Sequence, residues 1–203
     1  MKDGAMHGTG RLTLPQGIIY DGQWKNGKPW GNGVKIWPNG EMYKGQWVDG
    51  VESGEGEATY ENGTSYRGDF LDGKPHGIGI FYNKGGIPQY SGEFFLGKRH
   101  GRGVLTWSDG RKHEGYFEDG EIHGEGVKTC ADGSVLRGTW VRGKINGKGT
   151  MTFVDGTVFC GMYRNGRSVG NGFISFVDGS RYEGESGMSN FDLVLLVCVG
   201  SPY

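Results

Sequence analysis

Four segments of the sequence resemble the start of a phosphate-binding loop, in which backbone N–H groups and a lysine hold the phosphates of a nucleotide. Each has two glycines separated by four residues and then a lysine: Gly22 to Lys28, Gly68 to Lys74, Gly92 to Lys98 and Gly138 to Lys144. A phosphate-binding loop needs Ser or Thr after the lysine and a helix behind it. The next residues here are Pro29, Pro75, Arg99 and Ile145. We therefore predict hairpin turns at these segments and no nucleotide site.

A row of histidines is the second group that suggests chemistry. His76, His100 and His123 recur at nearly regular steps along the sequence. In adjacent hairpins, equivalent residues lie about 9–10 Å apart because neighbouring strands are about 4.8 Å apart. Zinc binds histidine nitrogens at about 2.0–2.1 Å, so the three side chains cannot share one ion. We expect each histidine to contact backbone or an aromatic ring, and we expect no metal or cofactor.

Acidic side chains are the remaining candidates for catalysis. Glu114, Glu118, Asp119 and Glu121 lie close together in the sequence. They fall on turns and on the solvent-facing positions of predicted strands, where a hydrated charge is the usual explanation. No nucleophile and base occur together in a distinctive context. The sequence therefore predicts a protein that is not an enzyme.

All of these residues belong to one short unit that repeats along the chain. An aromatic residue, a glycine and a second aromatic residue stand at alternate positions, and the pattern recurs at steps of 23 residues with one step of 24. The units begin at Tyr20, Tyr43, Tyr66, Tyr90, His113, Leu136, Phe159 and Tyr182. A fixed internal period of this length is typical of a stacked repeat protein.

One unit illustrates the predicted fold. Tyr43, Gly45 and Trp47 alternate with polar residues, so in a strand they face the same side. The pair at 49–50, Asp-Gly, predicts a turn because such pairs adopt positive φ at little cost. The next strand carries Gly54 and Gly56, which we place on the aromatic face, where they leave room for a neighbouring ring. Each unit is then a hairpin, and the chain is an antiparallel meander.

The composition favours a thin fold. Glycine accounts for 43 of 203 residues, and the hydrophobic fraction is 34%. That composition offers too little apolar surface for a core between two layers. At about 4.8 Å per strand, about eight units would extend for roughly 70–80 Å. We therefore expect an all-β fold, an elongated single-layer antiparallel meander of about eight 23-residue hairpin repeats that forms a curved trough.

The repeated Tyr-x-Gly-x-Trp, Asp/Asn-Gly and His-Gly-x-Gly pattern resembles the MORN repeat (membrane occupation and recognition nexus) over about residues 1–185. The resemblance implies single-layer β arrays with a groove, in proteins that act as assembly scaffolds in cilia, flagella and cytoskeletal rings. Other members adjoin enzymatic domains or hold membranes together. The sequence departs from the pattern at Trp30, Ser53, Asn146 and Val169, where the family has histidine.

The ends of the array depart from the repeat. We expect the array to occupy residues 1–185 with its first and last units incomplete, either because it is cut at the start or because it continues upstream in a longer protein. Residues 186–203 form a tail without the repeat, in which Leu193 to Val199 are apolar. A spanning helix needs about 20 such residues. The tail is expected to cap the last strand or to result from alternative splicing, and an anchor or partner peptide is the alternative.

Charge and cysteine content bear on location and partners. The net charge is −1, with 22 basic and 23 acidic residues, so no global charge attracts nucleic acid. Cys130, Cys160 and Cys198 suggest no disulfide framework, and no apolar run of a signal peptide follows Met1. These features indicate a reducing compartment. We expect a cytoplasmic protein, and the family resemblance implies association with the cytoskeleton, a cilium or a flagellum.

Protein binding is the first functional hypothesis. A partner would enter an aromatic groove as a helix or an extended peptide, since large aromatic side chains make strong interface contacts. The candidate residues are Trp24, Trp37, Trp47, Tyr60, Phe70, Phe94, Trp107, Phe117, Trp140, Phe153 and Tyr163. The same rings are expected to pack the sheet. A second copy of the chain, in a homodimer, is an alternative cover for them.

Lipid binding is the second hypothesis, as weak contact with anionic phospholipids and membrane tethering. It requires clustered basic residues, and the candidates are Lys98, Arg99, Arg102, Arg111 and Lys112, which acidic residues such as Glu118 interrupt. A third hypothesis makes the array the regulatory repeat region of a larger enzyme.

Overall fold

A computed structural model describes residues 4–185, which contain β-strands and no helix. The strands are β1 (Gly8–Thr13), β2 (Ile19–Lys25), β3 (Lys28–Ile36), β4 (Met42–Val48), β5 (Val51–Thr59), β6 (Ser65–Leu71), β7 (Lys74–Tyr82), β8 (Pro88–Phe95), β9 (Lys98–Thr106), β10 (Lys112–Glu118), β11 (Glu121–Thr129), β12 (Val135–Val141), β13 (Lys144–Thr152), β14 (Val158–Arg164), β15 (Arg167–Ser175) and β16 (Arg181–Glu185). Their order in the sheet is their order in the sequence. The predicted antiparallel meander of hairpins is confirmed.

The described chain divides into two compact units, one ending at Arg99 and one beginning at His100. The first contains β1 to β8, and the second contains β10 to β16 with most of β9. Within each unit, every hairpin is followed by the next without a crossover. Nothing among residues 4–185 has the helical length and apolar character needed to cross a membrane. The predicted tail, residues 186–203, lies outside the described residues.

The hairpin turns have the backbone conformation that their Asn-Gly and Asp-Gly pairs predict. The residue before the turn glycine has φ of 51° at Asn26 and 50° at Asp49, Asp72, Asp119 and Asn165. Asn and Asp tolerate this left-handed region better than other residues with a side chain. Leu96 and Arg142 occupy the same turn position with φ of 48°. The repeat spacing therefore enforces the turn even where the residue type disfavours it.

A row of glycines crosses the middle of the strands in each unit, and we call it the glycine ladder. In the first unit it consists of Gly10, Gly22, Gly33, Gly45, Gly56, Gly68, Gly79 and Gly92, each opposite the next. In the second unit it consists of Gly103, Gly115, Gly126, Gly138, Gly149, Gly161, Gly172 and Gly184. Without Cβ atoms, these strands leave open space directly above the backbone.

Tyrosine rings fill this space in the first unit. A Cβ atom on Gly45 would lie 2.6 Å from the Tyr43 hydroxyl, and one on Gly56 would lie 2.5 Å from the same atom. The Tyr43 hydroxyl donates a hydrogen bond to the carbonyl of Gln46 at 2.9 Å. Equivalent bonds are donated by Tyr20, Tyr66 and Tyr90 at 3.0 Å. Each ring therefore lies across the ladder and is held at its far end by the backbone.

The buried rings also contact one another edge to face. The ring centroid of Tyr20 lies 4.8 Å from Trp24 in its own hairpin and 5.2 Å from Trp47 in the next hairpin. Tyr43 repeats the arrangement with Trp47 and Phe70 at 5.1 and 4.9 Å. Aromatic pairs prefer this geometry. The core of the first unit is thus one row of interlocking rings on one face of the sheet.

The first glycine in the second strand of each hairpin lies differently from the prediction, which placed it on the aromatic face. The strand register shifts between Gly45 and Trp47, and Gly54 has φ of 74°. A Cβ atom on Gly54 would meet the Gln46 side chain, which is on the exposed face. The reason is a β-bulge, which adds residues to one strand and changes the direction in which they point. Strict alternation along the sequence cannot show this.

We expect Gly45→Ala to destabilise the first unit by about 1–3 kcal/mol, because the added methyl group would overpack the ladder. Its Cβ would lie 2.6 Å from the Gly56 Cα and 2.7 Å from the Glu55 carbonyl oxygen, and backbone atoms cannot move aside cheaply. Gly10→Ala is the matched control, since the nearest atom to its Cβ would be 3.8 Å away. Urea unfolding of the two variants measures the difference. Equal losses of stability would contradict the packing role of the ladder.

Candidate binding surface

The face opposite the buried rings carries an open groove in the first unit. The groove has a volume of about 1030 Å³, and the glycine ladder from Gly33 to Gly79 forms its floor. Its walls are formed by Asn32, Val34, Lys44, Glu55, Glu57, Arg67, Asp69, Ile78, Ile80 and Tyr82. Most of these residues directly precede or follow a ladder glycine. Their side chains therefore point away from the face that holds the rings.

Charged side chains of alternating sign line one wall of this groove. Lys44 and Glu57 are opposite each other on β4 and β5, and Glu57 is opposite Arg67 on β6. All three are exposed, and none forms an ion pair with another of residues 4–185. Their charges are therefore directed at solvent or at a binding partner.

The second unit has a smaller groove in the same place. Its volume is about 530 Å³, and the ladder from Gly138 to Gly172 forms the floor. Its walls combine charged Glu125, Arg137, Lys148 and Glu183 with Thr150, Cys160, Met162, Asn171 and Phe173. The Cys160 thiol lies 3.4 Å from the Thr150 hydroxyl. Cys160, Met162 and Phe173 supply the apolar part of this groove on β14 and β15.

The aromatic residues predicted to line a groove fall into two groups. Trp24, Trp47, Phe70, Phe94, Phe117, Trp140 and Tyr163 are buried, at most 7% exposed. Trp37, Tyr60, Trp107 and Phe153 follow directly after a strand and are partly exposed. The buried group packs against the ladder: the Trp47 indole N–H, for example, donates to the carbonyl of Gly33 at 3.2 Å. Most of the exposed ring surface therefore belongs to the second group.

The basic residues predicted to contact lipid are divided between the units. Lys98 and Arg99 belong to the first unit, and Arg102, Arg111 and Lys112 belong to the second. Arg102 donates to the Tyr116 hydroxyl at 2.9 Å, Arg111 pairs with Asp109 at 2.6 Å, and Lys112 pairs with Glu114 at 3.2 Å. The acidic partners of Arg111 and Lys112 reduce the positive field that these two residues present to an anionic surface.

The histidines predicted to form a row make separate local contacts, two of which illustrate this. The rings of His76 and Phe95 have centroids 5.4 Å apart. The Nδ1 atom of His123 lies 3.5 Å from the carboxylate of Glu118. Within residues 4–185, no three or more His, Cys, Asp or Glu side chains are arranged so that they could hold a metal ion.

A buried basic cluster in the second unit was not predicted from the sequence. His113 stands where other repeats have their first tyrosine, and it is 0% exposed. Its ring centroid lies 5.2 Å from that of Trp140. Lys128 lies opposite it on β11 and is 8% exposed. The Lys128 amine lies 5.3 Å from the ring centroid of Trp107 and 5.9 Å from that of Trp140. These cation–π contacts offset part of the cost of burying the charge.

Burial changes the titration of both groups. Burial, with a smaller effect of the Lys128 charge, lowers the pKa of His113 to about 4. Burial, with a smaller effect of Arg111, lowers the pKa of Lys128 to about 8, and Asp109 acts in the opposite direction. Neither ring nitrogen of His113 has a hydrogen-bond partner among the described residues. The departure from tyrosine at position 113 was visible in the sequence, but its burial was not.

Comparison with protein families gives one match. The family model described as MORN repeat matches eight consecutive segments, residues 1–18, 20–42, 43–65, 66–87, 90–110, 113–135, 137–158 and 159–181. The segments cover nearly the whole of the described chain. No curated protein matches the sequence at a significant level.

Solved structures with similar folds are distant in sequence. The SAS-4 (dCPAP) TCP domain of Drosophila melanogaster, in complex with a proline-rich motif of Ana2 (dSTIL), is 13% identical, with a TM-score of 0.48 over 87% of this chain and 89% of that chain. The CPAP G-box domain is 13% identical, with a TM-score of 0.47 over 90% and 100% of the two chains. The TCP10 domain of Danio rerio CPAP is 13% identical, with a TM-score of 0.42 over 87% and 83%.

The titration of His113 predicts a pH dependence of stability. Its pKa is about 4 in the folded protein and 6.5 in a model peptide, so the unfolded chain binds the proton at higher pH. Stability is therefore lost as pH falls from 6.5 towards 4, by roughly 3 kcal/mol at most. Urea unfolding at pH 7 and pH 5 measures the loss. His113→Leu removes the titrating group and should lose less stability over the same interval.

His113→Tyr tests the same site in the opposite direction. The new hydroxyl should donate to the carbonyl three residues later, as Tyr43 does to Gln46, and add about 1 kcal/mol of stability at pH 7. A tyrosine opposite a lysine already occurs in the chain, since Tyr20 lies opposite Lys35 as His113 lies opposite Lys128. If both variants keep the pH dependence of the original chain, His113 is not its source.

Proposed function

The chain belongs to the MORN repeat family, and we propose that it is a non-enzymatic scaffold that binds partner proteins along the grooves over its glycine ladder. The observation that carries this proposal is the groove of about 1030 Å³ in the first unit, whose wall charges Lys44, Glu57 and Arg67 form no ion pair within the described chain. Complementary charges on a partner would select the bound segment and its register. The family resemblance suggests cytoskeletal, ciliary or flagellar assembly in the cytoplasm as the setting.

The form of the partner segment follows from the direction of the groove. The groove runs along the ladder and therefore crosses the strands, which are spaced by about 4.8 Å. A helix presents side chains one turn apart at about 5.4 Å, close to that spacing. A helix or an extended peptide with alternating charges would thus meet Lys44, Glu57 and Arg67 in turn.

The aromatic residues predicted to line a groove contribute to this proposal in two ways. Trp37, Tyr60, Trp107 and Phe153 offer partly exposed ring surface, which suits strong interface contacts. The buried rings keep the sheet in shape on the other face, so the grooves exist before a partner binds. A preformed site loses less entropy on binding than one that must be ordered.

Anionic phospholipid binding is the alternative function. The observation in its favour is exposed basic surface, with Lys98 in the first unit and Arg102 and Lys112 in the second. The ion pair between Lys112 and Glu114 counts against it. A homodimer and a regulatory role within a larger enzyme are further alternatives that a binding experiment separates from the main proposal.

We expect Arg67→Glu to reduce the capture of partner proteins from a cell lysate at least fivefold, because it places a repelling charge in the groove wall. Lys84→Glu is the matched control: it changes the net charge by the same amount on an exposed residue outside the groove. The captured proteins are quantified by mass spectrometry with the original chain and both variants. A parallel flotation assay uses vesicles of phosphatidylcholine with phosphatidylserine or phosphoinositides.

The two assays separate the functions. Loss of specific proteins with Arg67→Glu but not with Lys84→Glu, while the vesicles float bare, supports the scaffold. Flotation of the chain at low salt and its release at high salt, without enrichment of any protein, would replace the scaffold with membrane tethering. Capture of the chain alone, together with a doubled mass in solution, would show that the second copy is the partner.

A further inference from the structure

Three consecutive hairpins of the first unit expose an apolar side chain at the same position. Val48 is 46% exposed, Leu71 is 41% exposed and Phe95 is 52% exposed. Each follows a buried ring by one residue, so its side chain points to the opposite face of the sheet, where the groove lies. We call these three residues the apolar strip.

The repeat itself shows that the fold does not require an apolar residue at this position. Lys25, Glu118 and Arg164 are the equivalent residues of β2, β10 and β14, and all are exposed. The same hairpin therefore forms with a charged residue there. Phe95 also packs on His76, with ring centroids 5.4 Å apart, but the hairpin itself does not require an apolar residue at this position. Clustered exposed apolar residues are typical of a binding surface. Val141 occupies the position in the second unit without an apolar equivalent in the hairpin on either side.

The turn after Phe95 provides an independent observation. Leu96 is 45% exposed and has φ of 48°, in the left-handed region that costs a residue with a side chain about 1 kcal/mol. The equivalent residues of the other turns in the first unit are Asn26, Asp49 and Asp72, which accept this conformation more readily. Arg142 has the same φ at the equivalent turn of the second unit, so the strain alone assigns no role, but the exposed Leu96 adds apolar surface next to Phe95.

Acidic residues lie beside the strip on its ladder side. Glu55 and Asp69 are opposite each other on β5 and β6, and Glu93 lies opposite Ile78, which is 63% exposed. Ile78 extends the apolar surface, and carboxylates border the strip on this side. The Asp69 carboxylate also accepts a hydrogen bond from the Ile78 N–H at 3.1 Å, and the exposed Lys74 lies opposite Leu71. A border of carboxylates repels an anionic membrane and attracts a partner with basic side chains.

The spacing of the strip fits an α-helix. Its residues are two strands apart, which corresponds to about 9.6 Å. Seven residues of a helix span about 10.5 Å, and a tilt of roughly 25° brings the two distances into agreement. A helix that crosses the strands can thus place one apolar residue of each heptad on Val48, Leu71 and Phe95 in turn.

We propose that the apolar strip binds an amphipathic helix of a partner protein, with apolar residues repeated every seven positions and basic residues along the flank that faces Glu55, Asp69 and Glu93. This inference rests on the proposed scaffold function and specifies the partner for one surface of the first unit. The helix lies beside the groove, with its apolar side on the strip and its basic flank towards the groove wall.

The test uses a synthetic helical peptide of three heptads with leucine on one face, lysine on one flank and glutamate on the other, labelled for fluorescence anisotropy. The variant Val48→Lys, Leu71→Glu, Phe95→Arg copies the residues found at the equivalent positions of other hairpins, so we expect it to fold. It should bind the peptide at least tenfold more weakly than the original chain. Val141→Lys is the control in the second unit, and its affinity should stay within twofold.

A second variant separates binding from folding. Leu96→Asp restores the residue type of the neighbouring turns, so its melting temperature should rise while its affinity for the peptide falls at least threefold. A variant that is more stable but binds more weakly cannot owe the loss to misfolding. Unchanged affinity in both the triple variant and Leu96→Asp, or no binding of the lysine-flanked peptide to the original chain, overturns the proposal.

Two further controls address the partner's chemistry. A peptide of the same composition with randomised order should bind at least tenfold more weakly, and equal binding would overturn the proposed helix. Flotation on phosphatidylserine vesicles that is lost in the triple variant would assign the strip to a membrane instead. If Arg67→Glu reduces protein capture from lysate while the strip variants do not, the scaffold function stands and the helix proposal fails.

Discussion

The fold depends on placing a large side chain directly over a strand that has no Cβ. In the first unit, the Tyr43 hydroxyl lies where Cβ atoms of Gly45 and Gly56 would be, and it bonds to the Gln46 carbonyl. The ring then reaches the next hairpin, with Phe70 at 4.9 Å. A single sheet has no second layer to cover its apolar face, so its rings must cover one another and the backbone. The glycine ladder makes that possible.

As a result, one face of the sheet provides packing and the other is available for binding. The ring face carries the packing, so its residues must fill the space over the glycine ladder. The opposite face contributes little to stability, and the same position can hold Lys25, Leu71 or Glu118 in hairpins of the same form. Residues that bind a partner can therefore differ from one repeat to the next without changing the fold. The apolar strip occupies three neighbouring hairpins of the first unit, which is the pattern expected of a local binding surface on a repeated frame.

The sequence predicts the period, the hairpins and the turns because each depends on residues that are neighbours in the chain. It also predicts alternation correctly along the first strand of each hairpin, as in Tyr43 and Trp47. It fails at Gly54, since a bulge changes the facing of residues without changing their spacing. The two described grooves lie on the face opposite the rings, and rings such as Trp47 are buried by packing between hairpins, which strand alternation does not describe. The predicted aromatic groove stays a prediction.

In the second unit, side chains of different types fill the space above the glycine ladder, so the fold requires that this space be filled but does not require tyrosine. At Gly138 and Gly149 the space holds the Cδ1 atom of Ile145, which would lie 2.9 and 2.7 Å from their Cβ atoms. At Gly126 it holds the His113 ring, which fills the space but leaves both nitrogens without a described partner. The backbone pairing of the ladder glycines is the same in both places. The hydrogen bond of the tyrosine hydroxyl therefore adds stability to a fold that filling the space above the glycines already specifies.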